Sequence, residues 1–220
     1  MKVGVLLSGC GNKDGSEIHE SVLTMLALDR LKAEMVLMAP NIDQMHVMNH
    51  YTDQEMDEFR NVLVESARIA RGNIKDMAEV NGADLDALII PGGLGVVKNI
   101  SDYAMSGPEC TVNPDAYRLV SEMILLKKPI GAMCIAPAMI AKIINELGEK
   151  AVLTVGNDET TSNDIKMMGS KHQECLVSDI VIDEENKIIT TPAYMEAKIF
   201  QKLLKELKNL FLQLYLWLHD

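Results

Sequence analysis

The stretch KKPIGAMCIAPAMIAKI, residues 127–143, runs from a buried apolar strand into a segment of helical period and places Cys134 at the corner. Small residues surround that corner, Gly131, Ala132 and Ala136, as a tight nucleophile turn requires, because larger side chains would clash at a strained backbone position. A thiol in the first turn of a helix also feels the positive end of the helix dipole, which favours the nucleophilic thiolate. Free cysteine is equally one of the most buried residue types, so packing alone would account for Cys134. What separates the two readings is whether the chain supplies partners.

In open α/β sheets ligands bind beyond the carboxyl ends of the strands, so the loops SGCGNKDGSEIHE, APNIDQMHVMNH, PGGLGVVKN and MCIAP are where partners belong. The PGG turn at 91–93 frees backbone N–H groups that can hold a developing oxyanion, although a plain turn needs the same residues. Glu17 and Glu20 fall in the first turn of the first helix, where the dipole favours a carboxylate, and capping explains one of them. Being three apart they share a face, so one can turn inward toward Cys134. His46 and Cys10 are further candidates for the pocket rim, as are Met45, His50 and Lys98, with solvation the plainer reading for each. SGCGNKDG spaces its glycines as GxGxxxG, and the second strand ends in Ala39, Pro40 and Asn41 without a ribose-binding acid, so no dinucleotide cofactor is expected.

These loops need a frame. Short apolar runs alternate with segments of helical period, the pattern of an α/β fold with a mostly parallel sheet, and 220 residues suit a single domain over 1–220. VGVLLS (3–8), MVLMAP (35–40), ALIIPGG (87–93), PIGAMCI and AVLTVG (151–156) read as strands, and DIVIDEENKIITT (179–191) as a hairpin turning at 184–186. Helices are expected at 17–32, capped by Ser16 with Ile18, Val22, Met25 and Leu26 as its apolar face, at 53–71, at 115–127 and from 196. The closing NLFLQLYLWLHD is apolar at nearly every position after Leu210, too much for one helix face, so it packs on the body, joins an oligomer contact or leaves a sticky patch.

Composition narrows the function. A net charge of −11 repels phosphate backbones and anionic lipid, so nucleic acid is not an expected partner. No run reaches the roughly 20 apolar residues of a membrane span, and MKVGVLLSGCG is too short in apolar residues for a signal peptide, so a cytoplasmic protein with no membrane partner is expected. The four cysteines and five histidines are scattered without CxxC or HExxH spacing, which predicts free thiols and no metal site.

The blocks LSGCGNKDGSEIHESVLTMLAL, APNIDQMHVMNH, LIIPGGLGVVKNIS, KPIGAMCIAPAM and DIVIDEENKIITTPAYM resemble the ElbB-like proteins, named for enhancing lycopene biosynthesis, in the ThiJ/PfpI superfamily with the class I glutamine amidotransferase-like fold. The resemblance runs to about residue 200. It implies a flavodoxin-like sandwich, Cys134 as corner nucleophile, Glu20 as the first-helix glutamate that touches it, Glu17 nearer the loop, and the backbone N–H groups of Gly93 and Ile135 as oxyanion donors. It also implies homodimers and, for relatives with this Cys–Glu pair, glyoxalase activity on small 2-oxoaldehydes without glutathione, metal or other cofactor. Protease-like relatives place a histidine directly after the cysteine. Here Ile135 stands there, and His172 has no evident place in the site, which disfavours a Cys hydrolase or amidase. A non-enzymatic redox-sensing or stress-protective protein using an oxidisable Cys134 remains the alternative.

Overall fold

The continuous apolar runs form the middle of a sheet because they are covered on both faces. A computed structural model describes residues 1–176, 179–195 and 200–219, with the side chains of 200–206 left aside. The chain opens with β1 (Lys2–Leu6), α1 (Ile18–Arg30) and β2 (Glu34–Ala39), followed by the antiparallel hairpin β3 (Val47–Asn49) and β4 (Gln54–Met56). Next come α2 (Val62–Ile69), β5 (Lys75–Asp76), β6 (Ala87–Ile90), a π-helical turn over Val96–Ile100, α3 (Tyr103–Ser106) and α4 (Pro114–Leu125). β7 (Ile130–Met133) leads into α5 (Ala136–Glu146), then β8 (Val152–Leu153), α6 (Glu159–Met167), β9 (Lys171–His172), β10 (Val181–Asp183), β11 (Ile188–Thr191) and α7 (Phe200–Trp217).

The central sheet runs β10-β11-β7-β6-β1-β2-β5, parallel throughout except for β10 against β11. One apolar layer packs α4, α5 and α6 against one face, and a second packs α1, α2 and α7 against the other. This is the mostly parallel flavodoxin-like sandwich expected from the alternation of runs. The β1, β6 and β7 strands lie side by side, so their carboxyl ends bring the SGCG, PGG and MCIAP loops together at one edge.

Several local expectations are corrected. The segment 53–71 is not one helix: Asp53 turns with φ +59 inside the β3–β4 hairpin, and the Asn61 side chain caps α2 by accepting the Val64 N–H at 3.1 Å. AVLTVG contributes only β8, which pairs with β9 away from the central sheet. Ser16 does not cap α1, because its hydroxyl accepts the Ser8 N–H at 2.8 Å; Glu17 caps instead, accepting the Glu20 N–H at 2.7 Å.

The face of α1 is also turned. Of the four expected residues only Met25 packs in part on the core; Ile18, Val22 and Leu26 are exposed, while Glu20, Ser21, Leu23, Thr24 and Leu28 are buried. The small polar side chains let the helix sit close to the sheet, and the carboxylate of Glu20 faces the strand ends. In the C-terminal stretch Leu207, Leu210, Phe211 and Leu214 are buried, whereas Leu212, Tyr215 and Leu216 are exposed, so the tail mostly packs on the body. Part of the expected helix from 196 lies outside the described residues.

Leu210 sits over Gly131 of β7, where an added methyl would lie 3.2 Å from Leu210 Cδ2. Leu210→Ala is therefore expected to cost about 2–5 kcal/mol of unfolding free energy by denaturant titration. Leu212→Ala should fall within about 0.5 kcal/mol of the parent.

Candidate active site

The turn between β7 and α5 holds Cys134 at φ +59, a left-handed conformation that L side chains rarely adopt and that costs about 1–3 kcal/mol. Its N–H donates to the Thr191 carbonyl at 3.0 Å, tying the corner to the end of β11. Ala132 and Ala136 beside it are fully buried, so the small residues are there for space.

The PGG turn packs directly under this corner. A methyl added at Gly92 would collide with Cys134 Cβ, while lying 2.8 Å from Glu20 Oε2 and 3.0 Å from Cys134 Sγ. Thiol and carboxylate therefore converge over a position that only glycine can occupy. The Gly92 N–H donates to Glu20 Oε2 at 2.7 Å, and the Glu17 N–H returns to the Gly92 carbonyl at 2.9 Å. Gly93 has φ +97, and a side chain there would strike the Gly15 carbonyl and the Glu17 amide. The backbones of Gly93 and Ile135 favour the ionised form of the Cys134 sulfur.

Glu20 has no exposed surface, and its Oε1 accepts the Tyr194 N–H at 3.3 Å. Glu17 stays at the mouth with its carboxylate engaged in the helix cap. The thiolate expected from the helix dipole is not favoured. Cys134 is half-buried, and burial followed by the charge of Glu20 pushes the thiol well above its ordinary value. The backbones of Gly93 and Ile135 pull the other way and lose. The site therefore sets a thiol that resists ionisation beside the Glu20 carboxyl group.

The other candidates have partners of their own. His46 Nε2 lies 3.0 Å from Lys98 Nζ, which also donates to the Lys13 carbonyl at 3.0 Å. His50 Nε2 lies 3.7 Å from Asp14 Oδ1. Cys10 answers chiefly to burial and to Glu65 and Arg68 of α2, a different charge environment from that of Cys134. His172 Nε2 accepts the Val155 N–H at 3.2 Å. All four cysteines are free, and no cluster among the described residues could hold a metal ion. Among the described residues no helix is long and apolar enough to cross a membrane.

Two site residues escape a sequence reading. Tyr194 enters through its backbone and His19 through Tyr194, the two being 2.9 Å apart across 175 positions of sequence. Neither stands in a spacing that suggests chemistry; the clues are only that His19 lies between Glu17 and Glu20 and that Tyr194 closely follows a strand end.

A mostly parallel sheet with a left-handed cysteine at a strand-to-helix corner, a first-helix glutamate and a glycine turn beneath both defines a protein of the class I glutamine amidotransferase-like fold. No protein-family model matches the chain. The human glutamine amidotransferase-like class 1 domain-containing protein 3, mitochondrial, is 42% identical over 204 residues, covering 88% of this chain and 75% of that protein. A crystal structure of an isoprenoid biosynthesis protein with amidotransferase-like domain from Ehrlichia chaffeensis is 36% identical with a TM-score of 0.92, covering 99% of both chains. Drosophila melanogaster DJ-1beta shares the fold at 18% identity and a TM-score of 0.54, over 97% of this chain and 93% of that one. The chain belongs to the glutamine amidotransferase-like class 1 family, in agreement with its ElbB-like sequence blocks.

Because Glu20 raises the thiol more than Glu17 does, Glu20→Gln should move the pH midpoint of Cys134 alkylation by iodoacetamide to lower pH. Glu17→Gln should move it less. An unchanged midpoint in Glu20→Gln would show that the carboxylate does not bear on the sulfur.

Proposed function

We propose that this chain is a cofactor-independent glyoxalase that converts glyoxal or methylglyoxal to a 2-hydroxy acid. The observation that carries the reading is the convergence of Cys134 Sγ and Glu20 Oε2 over Gly92. The thiol adds across the aldehyde: its proton leaves through Glu20, the S–C bond forms, and the oxygen takes a proton to give a hemithioacetal. The N–H groups of Gly93 and Ile135, whose backbones favour charge on the sulfur, hold the new oxygen in this reading. Glu20 then removes the hydrogen from the first carbon and returns it to the second, while the hydroxyl hydrogen moves from the first oxygen to the second, leaving a thioester. Water cleaves that to the hydroxy acid and free thiol, so no electron acceptor is consumed.

The two alternatives draw less support. A redox sensor needs a readily ionised thiol, and burial with Glu20 disfavours ionisation here. A hydrolase or amidase normally pairs the cysteine with a histidine base, and Ile135 stands directly after Cys134 where protease-like relatives carry one. The reading includes a single domain over residues 1–220. It also includes a homodimer, supported by the exposed apolar stripes Ile18, Val22 and Leu26 of α1 and Leu212, Tyr215 and Leu216 of α7. The cytoplasm, where free thiols persist, is the proposed location, although the name of the human relative carries the word mitochondrial.

Chelator-treated protein is expected to form lactate from methylglyoxal. Cys134→Ser should lose the activity, and Glu20→Gln should fall about 10²- to 10⁴-fold. Turnover retained by Cys134→Ser, or absent from the parent, would overturn the assignment. Sedimentation should give a dimer at micromolar concentration, and a monomer there would remove the homodimer from the reading.

A further inference from the structure

Strand register places a second polar wall beside the cysteine. Parallel pairing sets Met133 of β7 opposite Thr191 of β11, so Cys134 and the segment 192–194 leave the sheet side by side. Ala193 adopts φ +46 and turns the chain so that the Tyr194 N–H reaches Glu20 Oε1 at 3.3 Å. Two non-glycine residues in left-handed backbone thus stand at neighbouring strand ends, the kind of strain that surrounding structure sustains at functional sites. The Tyr194 phenol meets His19 Nδ1 at 2.9 Å, and their rings tilt at 53° with centroids 5.8 Å apart. His19 Nδ1 lies 3.9 Å from Glu17 Oε1.

Glu20 links the two residues: its Oε1 accepts the Tyr194 N–H, and its Oε2 converges with Cys134 Sγ over Gly92, so Tyr194 and Cys134 border the same carboxylate. Burial first, then Glu17 and Glu20, raise the phenol above its ordinary value, which leaves it a neutral donor at neutral pH. With a hydrogen on Nδ1, attracted by Glu17 Oε1, His19 donates to the phenol oxygen. The phenol hydrogen is then left for an acceptor other than His19.

We propose that Tyr194, oriented by His19, binds the second oxygen of a ligand that carries oxygens on two adjacent carbons, while Cys134 takes the first carbon. The ligand class is an uncharged vicinal dicarbonyl, since Glu17 and Glu20 beside the phenol would repel a carboxylate or phosphate in that place. The substrate class follows the glyoxalase reading, but the claim concerns binding and not turnover. The thiol hydrogen passes to the aldehyde oxygen as the S–C bond forms and the C=O π bond breaks. Tyr194 contributes a hydrogen bond and transfers no proton. When Glu20 withdraws the first-carbon hydrogen, charge gathers on the second oxygen, where the phenol already points.

The test uses the full chain and reads protection of Cys134 from iodoacetamide at fixed pH and short times, with methylglyoxal or propanal as the reversible aldehyde. Propanal forms the same hemithioacetal but has no second oxygen. Tyr194→Phe should raise the half-protecting concentration of methylglyoxal about two- to tenfold, the range of one neutral hydrogen bond, and leave that of propanal unchanged. His19→Gln should raise the methylglyoxal value by less. Equal shifts for both aldehydes, or none for methylglyoxal, would overturn the proposal. Lactate formation by the same preparations separates the two claims: selective protection without lactate removes the glyoxalase reading and keeps this one. Lack of protection of the parent by either aldehyde removes both.

Discussion

The molecule is organised around one tight approach, that of the Gly92 backbone to Cys134 and Glu20. A carboxylate with no exposed surface needs hydrogen-bond donors, and Gly92 supplies one at 2.7 Å while keeping its own Cα face bare for the cysteine. Any side chain there would push the corner off the sheet or the helix off the loop. The PGG turn is in turn locked to the first βα loop, because Gly93 and Gly95 press on Gly15, Ser16 and Ser8 with no room for a Cβ. The glycines that resemble a phosphate cradle therefore serve loop-on-loop packing. This locks α1 in rotation about its own axis, and that rotation delivers Glu20.

The same constraint explains the odd burial on α1. A helix whose inward face carries Glu20, Ser21 and Thr24 gives up apolar burial that Ile18, Val22 and Leu26 would have provided. Those three side chains are left outside, Leu26 beside the exposed Leu212 and Tyr215 of α7. A groove of about 520 Å³ runs between the two helices, lined in part by Leu23, Leu26, Phe211, Leu212 and Tyr215. Positioning a carboxylate at the site thus leaves an apolar face on the surface.

Electrostatics at the corner follow from competition between terms of opposite sign. The helix start and the N–H groups of Gly93 and Ile135 favour a thiolate, whereas enclosure of the sulfur and the neighbouring carboxylate oppose it. The second pair prevails because a charge in a low-dielectric enclosure interacts strongly with another charge nearby and has little water to screen it. A thiol of this kind is not always primed; it is activated when an electrophile arrives and Glu20 takes the proton.

By itself the sequence determined the class of fold and the location of the corner, since both rest on short-range rules. Continuous apolar runs such as VGVLL and ALII can only be strands covered on both faces, and Gly131, Ala132 and Ala136 around Cys134 mark a turn with no room to spare. The pairing of Glu20 with Cys134 came through the resemblance of whole blocks, because helical spacing left Glu17 and Glu20 equivalent. Only the tertiary structure decided which face of α1 turned inward, because period alone favoured Ile18, Val22 and Leu26, and the opposite answer came from packing against a glycine loop some 70 residues away in sequence. Only it set the state of the thiol, which depends on enclosure and on a charge brought from another element. Only it found Tyr194 and His19, because the register of β11 on β7 and the turn at Ala193 create that contact, and no local pattern encodes a meeting between residues 175 positions apart.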